Sequence, residues 1–111
     1  MTDRELLELA AKAAGLDAVW DDYQQEHAIY DHDGVLIGGW DPLNYDGDAL
    51  RLAVKLKMRI GIDSIPVGYV VVMSDDPLKK ETHELIDSDP YAATRRAIVR
   101  AAAQIGEQND H

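Results

Sequence analysis

Three short stretches of the chain carry residue types that could do chemistry. Asp31-His32-Asp33 and Asn44-Tyr45-Asp46-Gly47-Asp48 are rich in the oxygen donors that hard cations require. Neither completes a calcium loop. With Gly34 or Gly47 at the sixth position, Ile29 or Pro42 falls at the first and Trp40 or Ala53 at the twelfth, where acidic ligands belong. Asp and Gly at these spacings also serve turns and helix starts, so the first stretch reads as a turn and the second as a helix cap. His83-Glu84-Leu85-Ile86-Asp87 approaches the His-Glu-x-x-His zinc helix but has Asp in place of the second His. Exposed polar residues on an edge strand are the simpler account. The sequence has no Cys, no Gly-rich phosphate loop, no dinucleotide fingerprint and no Gly-x-Ser-x-Gly elbow. No classical enzyme class is supported, no catalytic residue is assigned, and no metal or cofactor is expected.

Charge supplies two further candidates. The chain holds 21 acidic and 11 basic residues, a formal charge of -10, and residues 1 to 33 alone carry nine acids against two bases. Such a surface repels nucleic-acid phosphate and anionic lipid, so direct nucleic-acid or membrane binding is not expected. The plain use of these acids is solubility. The specific use is docking on a basic host protein, with Asp17, Asp21, Asp22 and Glu26 as partner-binding candidates. Arg95, Arg96 and Arg100 form the one basic cluster on a predicted helix. Arg96 and Arg100, four residues apart, repel unless acids lie opposite. Pairing with the acidic first third is therefore expected, and an anionic ligand is the alternative. Trp40 and Tyr45 beside the central turn could stack a ring, although packing of the turn is the simpler use.

Helices and strand pairs must position these residues. Thr2-Asp3-Arg4-Glu5 is a capping box that opens a helix over about 3 to 14, buried through Leu6, Leu9, Ala10 and Ala13, with Leu7 and Ala14 widening that face, and stopped by Gly15. Leu16 to Gln25 reads as a mixed, acidic connection anchored by Trp20 and Tyr23. Residues 27 to 30 and 35 to 37 read as a hairpin around Asp33-Gly34, with Gly38-Gly39 allowing a bulge before Trp40. After Pro42, with Asp46 or Asp48 as cap, a second helix over about 47 to 58 is apolar around most of its circumference, which predicts a largely buried helix.

Met58 to Pro66 reads as a connection and Gly68 to Met73, with three consecutive Val, as a central strand buried on both faces. Ser74 to Pro77 is a turn. Glu81 to Ile86 reads as an edge strand guarded by Lys79 and Lys80, with a short helix as the competing reading. Asp87-Ser88-Asp89-Pro90 starts a last helix, packed through Ala93, Ala97, Ile98, Ala101, Ala102 and Ile105 and ended near 105 by Gly106, with 106 to 111 as a frayed tail. The order is α-ββ-α-ββ-α, a single α+β domain over 1 to 111 with a mainly antiparallel sheet covered by helices. Asp41-Pro42 and Asp89-Pro90, 48 residues apart, allow an approximate ββα duplication.

A chain of 111 residues buries roughly 65% of its unfolded surface, enough for one core, and 46% hydrophobic with 29% charged residues is the balance of a globular protein. No apolar run approaches the ~20 residues of a membrane span, and the acidic start is unlike a signal peptide. Without Cys, folding does not depend on an oxidising compartment, so the cytoplasm is expected.

Trp40-Asp41-Pro42-Leu43, the run from Asp46 to Leu56 and the Ala-Arg-rich run from Ala93 to Ala103 carry a likeness. The chain resembles the small phage and prophage proteins grouped as the phage ABA sandwich domain, over almost its whole length. The resemblance implies a sheet covered by helices and the cytoplasm of a phage-infected host bacterium, and it supplies no catalytic residues. Members are expected to differ most over residues 59 to 86. Together these readings predict a non-enzymatic accessory protein that binds a host or phage macromolecule, such as a nucleic-acid-handling or defence protein. Two alternatives stand beside it: a small metal- or nucleotide-dependent enzyme using the acidic turns, and a homo-oligomeric assembly factor paired through residues 69 to 73. A monomer and a homodimer are both compatible with the sequence.

Overall fold

A computed structural model of the chain describes residues 1–63, 68–74 and 81–108. The turn at 75–77, the guards Lys79 and Lys80 and the end of the tail lie outside the described residues. The fold is α+β: α1 (Asp3–Ala13), β1 (Asp17–Asp21), β2 (Glu26–Tyr30), β3 (Leu36–Trp40), α2 (Asp46–Lys55), β4 (Arg59–Asp63), β5 (Tyr69–Met73), β6 (Glu81–Leu85) and α3 (Pro90–Gln108). The strands form two antiparallel meanders, β1-β2-β3 and β4-β5-β6. The expected α-ββ-α-ββ-α order therefore becomes α-βββ-α-βββ-α. The strands missed were β1 and β4. Aspartates flank β1, and Gly61 interrupts β4, whose residues are all exposed; it is a strand because β5 pairs with it. The two βββα units start at Asp17 and Arg59, 42 residues apart, and their helices at Asp46 and Pro90, 44 apart. The 48-residue spacing of the Asp-Pro dipeptides was the wrong ruler for this repetition.

Local chemistry explains the helix ends. The Glu5 N–H donates to Thr2 Oγ1 (3.1 Å), and the Thr2 hydroxyl donates to the Glu5 carboxylate (3.0 Å). At the far end, Leu16 N–H reaches Ala11 O and Gly15 N–H reaches Lys12 O, with Gly15 at φ +72°, a Schellman closure. The same closure ends α2, where Met58 N–H meets Ala53 O and Lys57 N–H meets Val54 O. There the left-handed position is filled by Lys57 at φ +55°. A side chain in that region costs about 1 kcal/mol. Replacing Lys57 with Gly is therefore expected to stabilise the protein by roughly 0.5–1 kcal/mol, read as a higher urea midpoint; an unchanged or lower midpoint would refute it.

Helix α2 starts at Asp46 after the uncapped Tyr45, so neither Asp46 nor Asp48 is its cap. Both sit in the first turn, where negative charge suits the helix dipole. The Asp89 carboxylate caps α3, accepting from Tyr91 and Ala92 N–H (3.0 and 3.1 Å). Gly106 does not end that helix, which continues to Gln108.

Helix α3 is the hub of the core. It packs against α1, α2, β5 and β6, burying a face of small residues that includes Ala93, Ala97, Val99, Ala101 and Ala102. Small side chains let backbones approach, and at Gly106 they nearly touch: an added Cβ would overlap the Leu9 carbonyl oxygen and stand 2.8 Å from its carbon. Helix α1 buries Leu7, Ala10 and Ala11, with Ala14 at its cap, so the widened side of the expected face is the one that α3 meets, while Leu6, Leu9 and Ala13 stay half-buried. Helix α2 is less buried than its composition predicts. Ala49, Leu52 and Ala53 face the core, while Leu50 (61%) and Val54 (69%) remain exposed, because α2 packs along one stripe against α3. Strand β5 is central in its sheet as expected, but only Val70 and Val72 are fully buried; Tyr69, Val71 and Met73 turn to the more open face. Glu81–Leu85 is the edge strand. Tyr23, expected to anchor a connection, is 92% exposed at the β1–β2 turn, whereas Trp20 does pack, edge-on to His27.

Candidate functional site

Strand alternation divides the first sheet into two unlike faces. The pairings Trp20↔His27↔Trp40 and Ala18↔Ile29↔Gly38 set the row that faces the helices, with His27, Ile29 and Trp40 buried. The pairings Asp17↔Tyr30↔Leu36, Val19↔Ala28↔Gly39 and Asp21↔Glu26 occupy the other face. That second face bears Asp17, Val19, Leu36 and Gly39 exposed and Asp21, Glu26, Ala28 and Tyr30 half-buried, so no helix among the described residues covers it. A shallow cleft of about 310 Å³ crosses it, lined by Asp21, Glu26, Ala28, Tyr30, Leu36 and Gly39 among others. The Glu26 carboxylate lies directly over Gly39, where any Cβ would collide with it. A larger residue at 39 would turn the Glu26 side chain aside, so glycine there lets the carboxylate lie flat on this surface.

Three of the four predicted partner-binding acids thus meet on one face. Asp17, Asp21 and Glu26 share it, and none is paired with a cation among the described residues. Asp21 also holds the β1–β2 turn, accepting from Tyr23 and Gln24 N–H (2.9 and 3.3 Å). Asp22 does not join them; its carboxylate accepts the Trp20 indole N–H at 2.7 Å. Sequence reasoning overlooked Val19, Tyr30 and Leu36, which supply apolar surface between the acids. Strand alternation within the predicted hairpin is the signal for Tyr30 and Leu36, whereas Val19 falls in the stretch from 16 to 25 that reads as a connection.

The three arginines, all on α3, reach in three different directions. Arg95 donates to the Leu43 carbonyl (2.8 Å) and Asp46 (2.7 Å), Arg96 to Asp3 (3.1 Å), and Arg100 to Glu84 (2.5 Å) and the His83 carbonyl (3.1 Å). Only Arg96 pairs with the acidic first third. They act as tethers from α3 to α2, α1 and β6 and do not converge on one anion.

The metal-like stretches resolve into local structure. Asp31 Oδ1 accepts from Asp33 and Val35 N–H, shaping the hairpin turn, and His32 and Asp33 are exposed beside it. Asp48 accepts the Asp41 N–H (3.0 Å) and pairs with Arg51 (2.6 Å). His83 and Glu84 lie on strand β6, so they point to opposite faces; His83 stacks on Tyr69 with ring centres 5.9 Å apart. Among the described residues no three His, Asp or Glu side chains converge as metal ligands.

No family model matches the chain, nor does any curated protein or solved structure. Among the described residues no helix is long and apolar enough to cross a membrane.

The structure adds one polar cluster that the sequence did not foreshadow. His27 is wholly buried, with Nε2 3.3 Å from Glu8 Oε2 and Nδ1 without a partner. Glu8 also meets Arg4, which lies over the Trp20 ring at 4.8 Å. A general base must reach the proton it removes, and this imidazole has no exposed surface, standing edge-on to Trp20 beneath a small cleft of about 160 Å³ between α1 and the sheet. Its place is in the packing under the sheet. A separate cleft of about 440 Å³ opens between α2 and the first sheet, floored by Leu16, Ile29, Trp40 and Leu52 and edged by Arg51 and Lys55.

Proposed function

We propose that the chain is a non-enzymatic accessory protein of a phage or prophage that docks on a basic surface of a host or phage protein in the bacterial cytoplasm. The docking surface is the helix-free face of the first sheet. One observation carries the reading: Asp17, Asp21 and Glu26 stand together there, unpaired with any cation among the described residues and interleaved with Val19, Tyr30 and Leu36. Such a face has the two parts an interface needs, apolar area to bury and charge that selects the partner's sign. Its charge repels phosphate and lipid headgroups, which leaves a basic protein as the fitting partner. The likeness of Trp40–Leu43, Asp46–Leu56 and Ala93–Ala103 to phage ABA sandwich proteins supplies the biological setting. The enzyme alternative has less support, because the carboxylates of Asp31, Asp46 and Asp48 are committed to turns and ion pairs.

Affinity capture from phage-infected cells, followed by binding measurements with the captured protein, tests the proposal. The double substitution Asp17→Lys, Glu26→Lys is expected to weaken binding by about tenfold or more, and the wild-type complex is expected to weaken as salt rises. Asp33→Lys, on the exposed β2–β3 turn and outside the strands that form this face, serves as the control and is expected to bind as wild type. Binding unchanged by the double substitution would sink the reading. Asp21 is left intact because its carboxylate holds the turn.

A further inference from the structure

We propose that the protein forms a homodimer through the free edge of β4, two copies pairing antiparallel about Gly61 so that each Arg59 faces the other copy's Asp63. The inference does not depend on the first sheet or on its partner. It starts from the four open strand edges that two three-stranded sheets leave. An open edge presents unpaired N–H and C=O groups, and proteins blunt such edges unless they are used.

Three of the four edges are blunted. Two antiparallel copies of β1 (Asp17-Ala18-Val19-Trp20-Asp21) would oppose Asp17 to Asp21, like charge against like. β3 carries a bulge, since Tyr30 pairs with Leu36 and Ile29 with Gly38, leaving Ile37 extra. On β6, the Arg100 guanidinium takes the His83 carbonyl and the Glu84 carboxylate. Among the described residues β4 shows none of these protections: its register with β5 is unbroken and all five of its residues are exposed.

The β4 sequence Arg59-Ile60-Gly61-Ile62-Asp63 is complementary to its own reverse. Antiparallel pairing centred on Gly61 opposes Arg59 to Asp63 twice, Ile60 to Ile62 twice, and the two glycines once. A Cβ at Gly61 would meet nothing within 4 Å, so the centre is open. A parallel pairing would set Arg59 beside Arg59, and a one-residue slip would put isoleucine on the charged face. Asp63 need not be free of contacts in its own chain, because a carboxylate accepts several donors.

The two faces of this strand suit the same arrangement. Ile60 pairs with Val72 and Ile62 with Val70, so both isoleucines point to the side of the sheet that α3 covers. There they line an apolar groove of about 390 Å³ with Leu50 of α2 and Tyr91 and Ile98 of α3. Leu50, Ile62 and Tyr91 are each more than 60% exposed. A strand pair of five residues spans only about 17 Å. The groove contributes the remaining apolar area, since the two-fold brings both copies' isoleucines together at its mouth.

Sedimentation analysis of the full chain between about 1 and 500 µM is expected to show a reversible monomer–dimer equilibrium. Arg59→Asp alone and Asp63→Arg alone each place like charges opposite one another, and each is expected to weaken the dimer about tenfold or more. The double variant Arg59→Asp, Asp63→Arg reverses both charges and is expected to restore it. An equimolar mixture of the two single variants is expected to form heterodimers, a result that a folding defect cannot produce. The chain has no Cys, so Gly61→Cys is expected to give a disulfide-linked dimer on mild oxidation, the opposed Cα atoms of an antiparallel pair standing about 4.5–5.5 Å apart. A wild-type chain that stays monomeric over the whole range, or a dimer indifferent to both single charge reversals, would overturn the proposal.

Discussion

Replacing Gly106 with alanine is expected to destabilise the protein by about 2–4 kcal/mol, although alanine is the better helix former by about 1 kcal/mol. The sign is decided by the neighbour. The added methyl group would overlap the Leu9 carbonyl oxygen and lie 2.8 and 3.2 Å from the Leu9 carbonyl carbon and Cα. These are backbone atoms of α1, so no side-chain rotation relieves the overlap and the helices must part. Separation opens the α1–α3 contact around Leu7, Ala10 and Ala102, residues at most 6% exposed. Urea unfolding followed by Trp fluorescence measures the loss, with far-UV circular dichroism checking that helix content persists. A variant as stable as wild type would mean that α1 and α3 do not approach this closely.

Replacing Trp40 with alanine is expected to cost about 3–5 kcal/mol, a large share of the 5–15 kcal/mol by which domains of this size are stable. Trp40 is 5% exposed. It stands at the end of the row Trp20–His27–Trp40, and it floors the cleft between the first sheet and α2. Its loss leaves a cavity beside a wholly buried imidazole whose Nδ1 already lacks a partner, and neither α2 nor β3 can collapse into the space without breaking the Asp41–Asp48 bond that joins turn to helix. Trp40→Phe keeps most of the ring volume and is expected to lose about 1–2 kcal/mol. Chemical denaturation of the two variants checks the order. A loss below 1 kcal/mol for the alanine variant would show that the row is not a packing element.

The Schellman closures of α1 and α2 show what determined legibility. Both use the same hydrogen bonds, yet only the first was read, because Gly15 advertises a left-handed position and Lys57 does not. Gly106 shows the converse. A glycine near a helix end reads as a stop, and only the Leu9 backbone of another helix shows that it marks a close approach. The acids were found as a cluster in sequence, but which of them share a surface depended on β1 being a strand. Once it is, alternation sends Asp17 and Asp21 to one face and leaves Asp22 at the turn with Trp20. Pairing through residues 69 to 73 likewise fails for a topological reason: β4 and β6 already occupy both sides of β5. The edge that stays open is β4, which is the edge we propose for pairing, although its Arg-Ile-Gly-Ile-Asp sequence reads as a connection.

By itself the sequence determined the features that short-range chemistry decides. These are the Thr2 and Asp89 caps, the Asp31–Gly34 turn, the period of each helix, and hence an α+β domain. Each depends on atoms within about four residues, so neighbouring side chains are enough to specify it. Tertiary structure alone decided that α3, not α2, is the hub, that β1 and β4 complete two meanders, and that one sheet face stays open. Those outcomes rest on contacts such as Arg96 with Asp3 and Gly106 with Leu9, which join the two ends of the chain. No local period encodes such a pairing; it is set by which apolar faces bury best together in three dimensions.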